Sequence, residues 1–403
     1  MPDGWMTRFN DPISREALDA YQLHMLNQQM EYAVANSGFY RERLGGIRLP
    51  LGSLEELGTL SFTHADDILQ HGTDMLCIGG DQVERVVSVQ SSGSSGQAKR
   101  IYFSKADLDY TIQLYEEGMH YLCRPGDEVF IFMPAATENS IGRLLGEGVK
   151  RLGAIPVVIG IPQDEAKAVE ALRKGKPYSL VGIPSQIRKL ALLAPEIRPS
   201  TVLLSADYIS HSTKDTIATK WECKVFEHYG LTETAYGCAV ECPALQGQHI
   251  RYDDLLVEIV EVDGDASLPG GMWGEIVITT LRREAMPLIR YRTGDMGRLL
   301  EGRCSCGIAL PRLDRVLGRI AELNKEITIY ALDELLLQND AILDFQAVMD
   351  QGVLIIEIEA DSPEGERICM DLVKEKWPAL SVQVKKADIA PLGRNSKRGI
   401  LRT

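Results

Sequence analysis

Val129-Phe130-Ile131-Phe132-Met133 is the first of four short apolar runs in this chain. Ile155-Pro156-Val157-Val158-Ile159, Ser179-Leu180-Val181-Gly182-Ile183 and Thr201-Val202-Leu203-Leu204 follow it. Each is short, rich in β-branched residues and bounded by polar or turn-forming residues, which reads as a buried strand. Helical patterns lie between them at about 139–153, 163–174 and 185–194. Strands that are apolar on both faces and alternate with helices predict a mostly parallel sheet covered on both sides, an α/β fold. In such sheets ligands bind just beyond the strand ends, so the motifs after these runs are the first place to look for chemistry.

The rest of the chain is read outward from that region. Residues 14–46 read as mostly amphipathic helix, with Leu18, Tyr21 and Met25 at helical spacing. From Leu255 to Leu300 the pattern alternates. Leu256–Val262 and Gly274–Thr279 are separated by Asp263-Gly264 and Pro269-Gly270-Gly271, which predicts antiparallel β. From about Ile320 onward, strands at Val353–Glu359 and Ser381–Lys385 and helices at Leu332–Gln338 and Glu364–Lys376 predict a small α+β unit.

The 403 residues are 45% hydrophobic, enough for more than one core. The formal net charge is −14. It argues against a nucleic-acid-binding surface, which needs a basic patch. No run of about 18 apolar residues exists, so neither a membrane span nor a membrane partner is expected. The stretch Met1-Pro2-Asp3-Gly4-Trp5 does not resemble a secretory leader. With eight cysteines in so long a chain, reduced thiols or metal ligands are expected rather than a disulfide scaffold. The expected location is the cytoplasm.

Three segments carry the chemistry. Ser91-Ser92-Gly93-Ser94-Ser95-Gly96-Gln97-Ala98-Lys99 follows the apolar-rich Val86-Val87-Ser88-Val89. A Ser/Gly turn offers backbone N–H groups and hydroxyls to phosphate oxygens, and the lysine adds a point charge; a flexible linker is the alternative. Its spacing is not that of a Walker loop, because Gly93 and Gly96 are too close and Arg100 follows Lys99. The second segment is Glu227-His228-Tyr229-Gly230-Leu231-Thr232-Glu233-Thr234, and the third is Arg290-Tyr291-Arg292-Thr293-Gly294-Asp295.

In this order and spacing the three resemble the motifs of the adenylate-forming superfamily of acyl-CoA synthetases and ligases. Phe39-Tyr40-Arg41 and Cys304-Ser305-Cys306-Gly307 are similar to its phenylacetate–CoA ligase branch. The resemblance extends to about Arg319. It implies an ATP-dependent, AMP-forming ligase that joins an aryl or small acyl acid to coenzyme A, with Mg²⁺ as cofactor. The Ser91–Lys99 loop would hold the β- and γ-phosphates, Thr232 the α-phosphate, and Glu233 the Mg²⁺ ion. Tyr229, beside His228 and Gly230, would stack on adenine near Ala206 and Asp207. Asp295 would accept both ribose hydroxyls, and Arg319 would contact ribose or phosphate. The acid would sit near Glu138, Ala235, Tyr236 and Gly237. Lys397 would complete adenylation, with Ser396 standing where the family has a glycine. The hinge that the family places here divides the chain into 1–318, with its β-rich part at about 245–318, and a mobile lid at 319–403. A homodimer is the assembly left open.

Cys242 and His249, with Cys304 and Cys306, form a four-ligand set that suits a closed structural Zn²⁺ site. Cys238 is the nearest substitute ligand, and the alternative is unpaired thiols with a surface histidine. The hinge departs from the family. Ala321 stands at the usual hinge position, and Lys325 or Glu326 stands where a glycine is expected beside the thiol channel. That motivates a second reading, adenylation with an amine, carrier-protein thiol or hydroxyl as acceptor. A nucleotide-binding protein without catalysis is the third.

Overall fold

The structure is a computed structural model that describes residues 15–90, 98–360, 362–389 and 398–402. It falls into two compact units: Met1–Tyr121 with His228–Ile320, and Leu122–Glu227 with Ala321–Thr403.

In the second unit, strands Ile155–Val158, Glu128–Phe132, Pro177–Gly182, Thr201–Leu204 and the first four residues of Lys224–Tyr229 pair side by side in that order, all parallel. Helices Ile141–Arg151, Glu165–Lys174, Pro184–Leu193 and His211–Trp221 connect them. This is the alternation expected from the four apolar runs. Phe130, Phe132, Leu180, Val202 and Leu204 bury against Ile187, Leu190 and Trp221 of the helices. The indole N–H of Trp221 is not left unsatisfied in that core: it donates to the Ala194 carbonyl at 2.9 Å.

The C-terminal part of the same unit is a second small sheet. Strands Ile342–Asp350 and Val353–Ala360 form a hairpin whose two turn residues, Gln351 and Gly352, both have positive φ, as a two-residue hairpin requires. Ser381–Lys386 and Ile400–Arg402 add in parallel on its two sides. Strand Ile342–Asp350 is absent from the sequence reading. Its alternation is broken at the start, where the adjacent Ile342 and Leu343 are both buried and the pairing register slips before Asp344.

In the first unit, the expected helix at 14–46 is two helices, Arg15–Asn36 and Gly38–Leu44. Ser37 divides them because its side chain accepts from the Tyr40 N–H and caps the second helix. Val83–Gln90 and Ala98–Ser104 pair antiparallel. The Ser91–Gln97 run between them lies outside the described residues. Leu255–Val260, Gly274–Thr280, Tyr291–Gly297 and Gly318–Arg319 form the expected antiparallel sheet. His228 and Tyr229, the end of strand Lys224–Tyr229, pair with Ala239–Glu241, which pairs with Gln248–Ile250. Among the described residues no helix is long and apolar enough to cross a membrane.

Candidate active site

The site begins where strand Lys224–Tyr229 ends. Gly230 follows, and a Cβ there would lie 2.2 Å from the Tyr236 carbonyl oxygen, so only glycine lets the chain close on itself. Thr232–Thr234 is a single tight turn. Its register is fixed by Thr234, whose hydroxyl accepts from the Leu231 N–H at 3.1 Å and donates to the Leu231 carbonyl at 3.0 Å. Ala235 and Tyr236 then take left-handed φ values of 52° and 70°. Two consecutive non-glycine residues in that region cost free energy that the surrounding contacts must offset.

The turn delivers Glu233 to a buried charge centre. Its Oε1 accepts from Lys99 Nζ at 2.5 Å and from the Tyr291 hydroxyl at 3.0 Å; Lys99 also donates to Tyr291 at 2.9 Å. All three residues are at least nine-tenths buried. Burial alone would raise the Glu233 carboxyl pKa, but the Lys99 ammonium outweighs it and holds the group below its ordinary value. Burial and the same carboxylate push the Tyr291 phenol far up, so it stays a proton donor. Lys99 and Glu233 come from motifs 134 residues apart. Tyr291 lies within the third motif but carries no expected role there. Its signal was a tyrosine between two arginines on a buried strand.

Asp295 holds a second knot. Its Oδ2 accepts from the Tyr229 hydroxyl at 2.8 Å, and its Oδ1 faces Arg319 Nε at 3.0 Å. Arg319 is its cross-strand partner and also donates to the Thr293 carbonyl. The pKa of the Arg319 guanidinium is raised: burial opposes its charge, but Asp295, Tyr229 and Glu233 together prevail. Tyr229, Asp295 and Arg319 are thus assembled, with Lys99, Glu233 and Tyr291, on one unit. Thr232 sits at the head of the same turn.

Beside them, the ring of Tyr236 stacks on Phe103, centroids 5.7 Å apart and planes 16° apart. Gly237 passes its carbonyl to Arg251 at 2.9 Å. His228 is held neutral, its pKa lowered to about 4 by burial and then by Arg251.

The other expected site residues belong to the second unit or lie outside the described residues. Ala206, with φ 73°, and Asp207 follow strand Thr201–Leu204 in the second unit, where Asp207 accepts from the Tyr208 N–H at 2.9 Å. Glu138 is exposed on a turn before helix Ile141–Arg151 of that unit. Ser91, Ser92, Gly93, Ser94, Ser95, Gly96 and Lys397 lie outside the described residues.

A separate cluster joins Cys242, His249, Cys304 and Cys306. Their four ligand atoms lie within 4.8 Å of one another. Cys242 Sγ is 3.6 Å from Cys304 Sγ, and Cys306 Sγ is 3.4 Å from His249 Nε2. Two thiolates sharing a tetrahedral Zn²⁺ would stand about 3.8 Å apart given Zn–S bonds near 2.3 Å. The imidazole is neutral, its pKa lowered to about 4 by burial and then by Arg312, as a ligand must be. The donor set therefore fits zinc. Cys238 is buried outside this group.

The sequence profile of the family described as AMP-binding enzyme matches residues 86–281, which contain Lys99, Tyr229, Thr232 and Glu233. Among curated proteins the chain is similar to the phenylacetate-coenzyme A ligase of Thermus thermophilus, 26% identical over 377 residues, 86% of this chain and 83% of the relative. It is also 26% identical over 326 residues to the same-named protein of Pseudomonas putida, covering 77% of this chain and 73% of that one. Among solved structures, 2-hydroxyisobutyryl-CoA ligase in its postadenylation state matches with a TM-score of 0.81 at 20% identity, over 100% of this chain and 93% of that chain. A benzoate CoA ligase from Burkholderia xenovorans matches with a TM-score of 0.54 at 16% identity, over 80% of this chain and 68% of that one. At these identities the structural matches speak for the fold.

Proposed function

We propose that the chain is an ATP-dependent, AMP-forming ligase that joins a small aryl or acyl acid to coenzyme A. The observation that carries this reading is the buried Lys99–Glu233–Tyr291 centre, a few residues from the tyrosine–aspartate–arginine knot. A carboxylate oxygen of the acid attacks the α-phosphorus of ATP; the bond to the β-phosphate oxygen breaks and pyrophosphate leaves. Coenzyme A sulfur then attacks the acyl carbon, AMP leaves, and the thiol proton passes to solvent.

The chain's residues suit the first step by position and charge. Asp295 accepts from ribose hydroxyls, with Tyr229 and Arg319 holding its two oxygens in place. Thr232 donates to the α-phosphate. Lys99 and Arg319 offset the charge that develops as pyrophosphate departs. Glu233 is the carboxylate for Mg²⁺, which would screen the phosphates; Lys99 and Tyr291 both bond its Oε1. The Ser91–Gly96 run and Lys397 remain assigned to the phosphates and to completion of adenylation. The Cys242–His249–Cys304–Cys306 cluster would hold a structural Zn²⁺. Residues 319–403 act as the lid, and the cytoplasm is the proposed compartment, in keeping with eight free thiols.

A second reading, a non-CoA acceptor, is favoured by one feature. Where the family has its hinge and channel glycine, Ile320–Leu323 is helical and Lys325 pairs with Glu322. AMP release from ATP and a panel of aryl and aliphatic acids, with and without coenzyme A, separates the two. We expect release that coenzyme A stimulates. Release driven instead by an amine or carrier-protein thiol would replace this reading with the second, and no release with any acid would overturn both.

A further inference from the structure

Strand Ala98–Ser104 sets an axis through the site. Lys99, Ile101 and Phe103 alternate onto one face. Lys99 meets Glu233 at one end of that face, and Phe103 meets Tyr236 at the other. The two positions are roughly 13 Å apart along the strand at about 3.3 Å per residue. A ring with a substituent spans about that length, its carboxyl end toward Lys99.

The far end is polar. Arg283 is 6% exposed, and its guanidinium lies 5.3 Å over the Phe103 ring. Its nearest acid, Asp107, is 3.9 Å away and already accepts from the N–H groups of Ser104, Glu284 and Ala285. Arg283 Nη1 is buried without a hydrogen-bond partner, and so are the hydroxyls of Tyr115 and Tyr236. Tyr236 and Arg283 both pack on the Phe103 ring, and Tyr236 also acts electrostatically on Tyr115. Around them, Arg251 is met by Asp254 and the Gly237 carbonyl and Tyr110 by Asp253, and the Arg85 guanidinium also faces Tyr236 and Tyr115. Buried donors left unpaired are destabilising, so a cluster of them marks a place where acceptors arrive.

We infer that the acid taken by this site carries a hydrogen-bond acceptor at the end remote from its reacting carboxyl, received by Arg283 with the Tyr115 and Tyr236 hydroxyls. The acceptor is a hydroxyl, carbonyl or carboxylate oxygen. The inference rests on the ligase reading above, and it sets the substrate apart from a bare phenyl ring. A site built to hydrogen-bond a substrate group discriminates strongly against the analogue that lacks it.

The test is acid-dependent ATP–pyrophosphate exchange with paired acids: phenylacetate and 4-hydroxyphenylacetate, benzoate and terephthalate, butanoate and 4-hydroxybutanoate. We expect at least one acceptor-bearing member to exceed its bare partner in kcat/KM by about tenfold or more. Tyr115→Phe and Arg283→Lys, which keep shape and charge, should shrink that ratio. Bare members equal to or better than their partners in every pair would overturn the inference and leave the ligase reading standing. An unchanged ratio in both folded variants would overturn the assignment to these residues. Silence with every acid would overturn the ligase reading and this inference with it.

Discussion

The Lys99–Glu233–Tyr291 centre and the Cys242–His249–Cys304–Cys306 cluster both gather polar side chains in one unit, yet they are held in opposite ways. In the first, the charges are answered inside the protein: one carboxylate oxygen accepts a hydrogen bond from an ammonium and another from a phenol. In the second, four donor atoms crowd within 4.8 Å and offer lone pairs to one another. The first is cohesive before any ligand arrives. The second gains its cohesion from a cation. Chemistry should therefore be sensitive to the first and stability to the second.

Breaking the charge centre should have the largest effect. Glu233→Gln removes the carboxylate that would hold Mg²⁺ and leaves Lys99 buried beside a neutral amide. We expect adenylation, read as ATP–pyrophosphate exchange, to fall by about 10³-fold, near the upper end for loss of one preorganised electrostatic group. The variant should also lose up to about 3 kcal/mol of stability in denaturant unfolding, because a buried charge has lost its partner. A variant as active as the parent would remove Glu233 from the chemistry.

The cysteine cluster should respond in the converse sense. Cys304→Ser with Cys306→Ser should abolish a stoichiometric zinc content measured by elemental analysis and lower the unfolding free energy by about 3 kcal/mol. The folded fraction should keep most of its exchange activity. A parent protein that contains no zinc when produced with zinc present, or a double variant as stable as the parent, would reduce the cluster to ordinary buried thiols.

Asp295→Asn sharpens the contrast from within the nucleotide side. The amide cannot accept two hydroxyls while also pairing with Arg319. The KM for ATP should rise about tenfold to a hundredfold, with a smaller change in kcat, in steady-state assays at saturating acid. A change confined to kcat would move Asp295 from binding to the chemical step.

The smallest expected effect is a pH dependence. His228 has a folded pKa near 4, against about 6.5 unfolded. A depressed folded value means the stability it contributes is full above pH 6.5 and is lost as the pH falls from there toward 4, since only the unfolded chain takes up the proton. The loss should reach roughly 1 kcal/mol by pH 6. His228→Gln should flatten unfolding curves between pH 7 and 5 relative to the parent; parallel curves would contradict the shift.

These residues also mark how far the sequence could be read. The parallel strands were legible because runs such as Val129–Met133 are apolar on both faces, which only a covered sheet tolerates. The segments around Glu233 and Asp295 were legible because a short polar motif after a buried strand is informative by order and spacing. The contact of Lys99 with Glu233 joins positions 134 residues apart, and no local pattern encodes it; it follows only from the family's motif order. Tyr291 stood inside the third motif with no role read for it. Arg283 and Tyr115 gave no signal at all, one in a loop among other charges and one on a helix, because an unpartnered hydrogen is a property of three-dimensional neighbours. Ser37 caps the second helix but sits inside a continuous helical pattern, so two helices looked like one.

The most direct measurement is ATP–pyrophosphate exchange by the purified full chain with Mg²⁺ and the aryl and aliphatic acids named above, run beside Glu233→Gln. We predict acid-dependent exchange in the parent and its near loss in the variant with ATP binding retained. Exchange equal in the two proteins, or absent from the parent with every acid while ATP still binds, would contradict the assignment of this centre to acyl-adenylate formation.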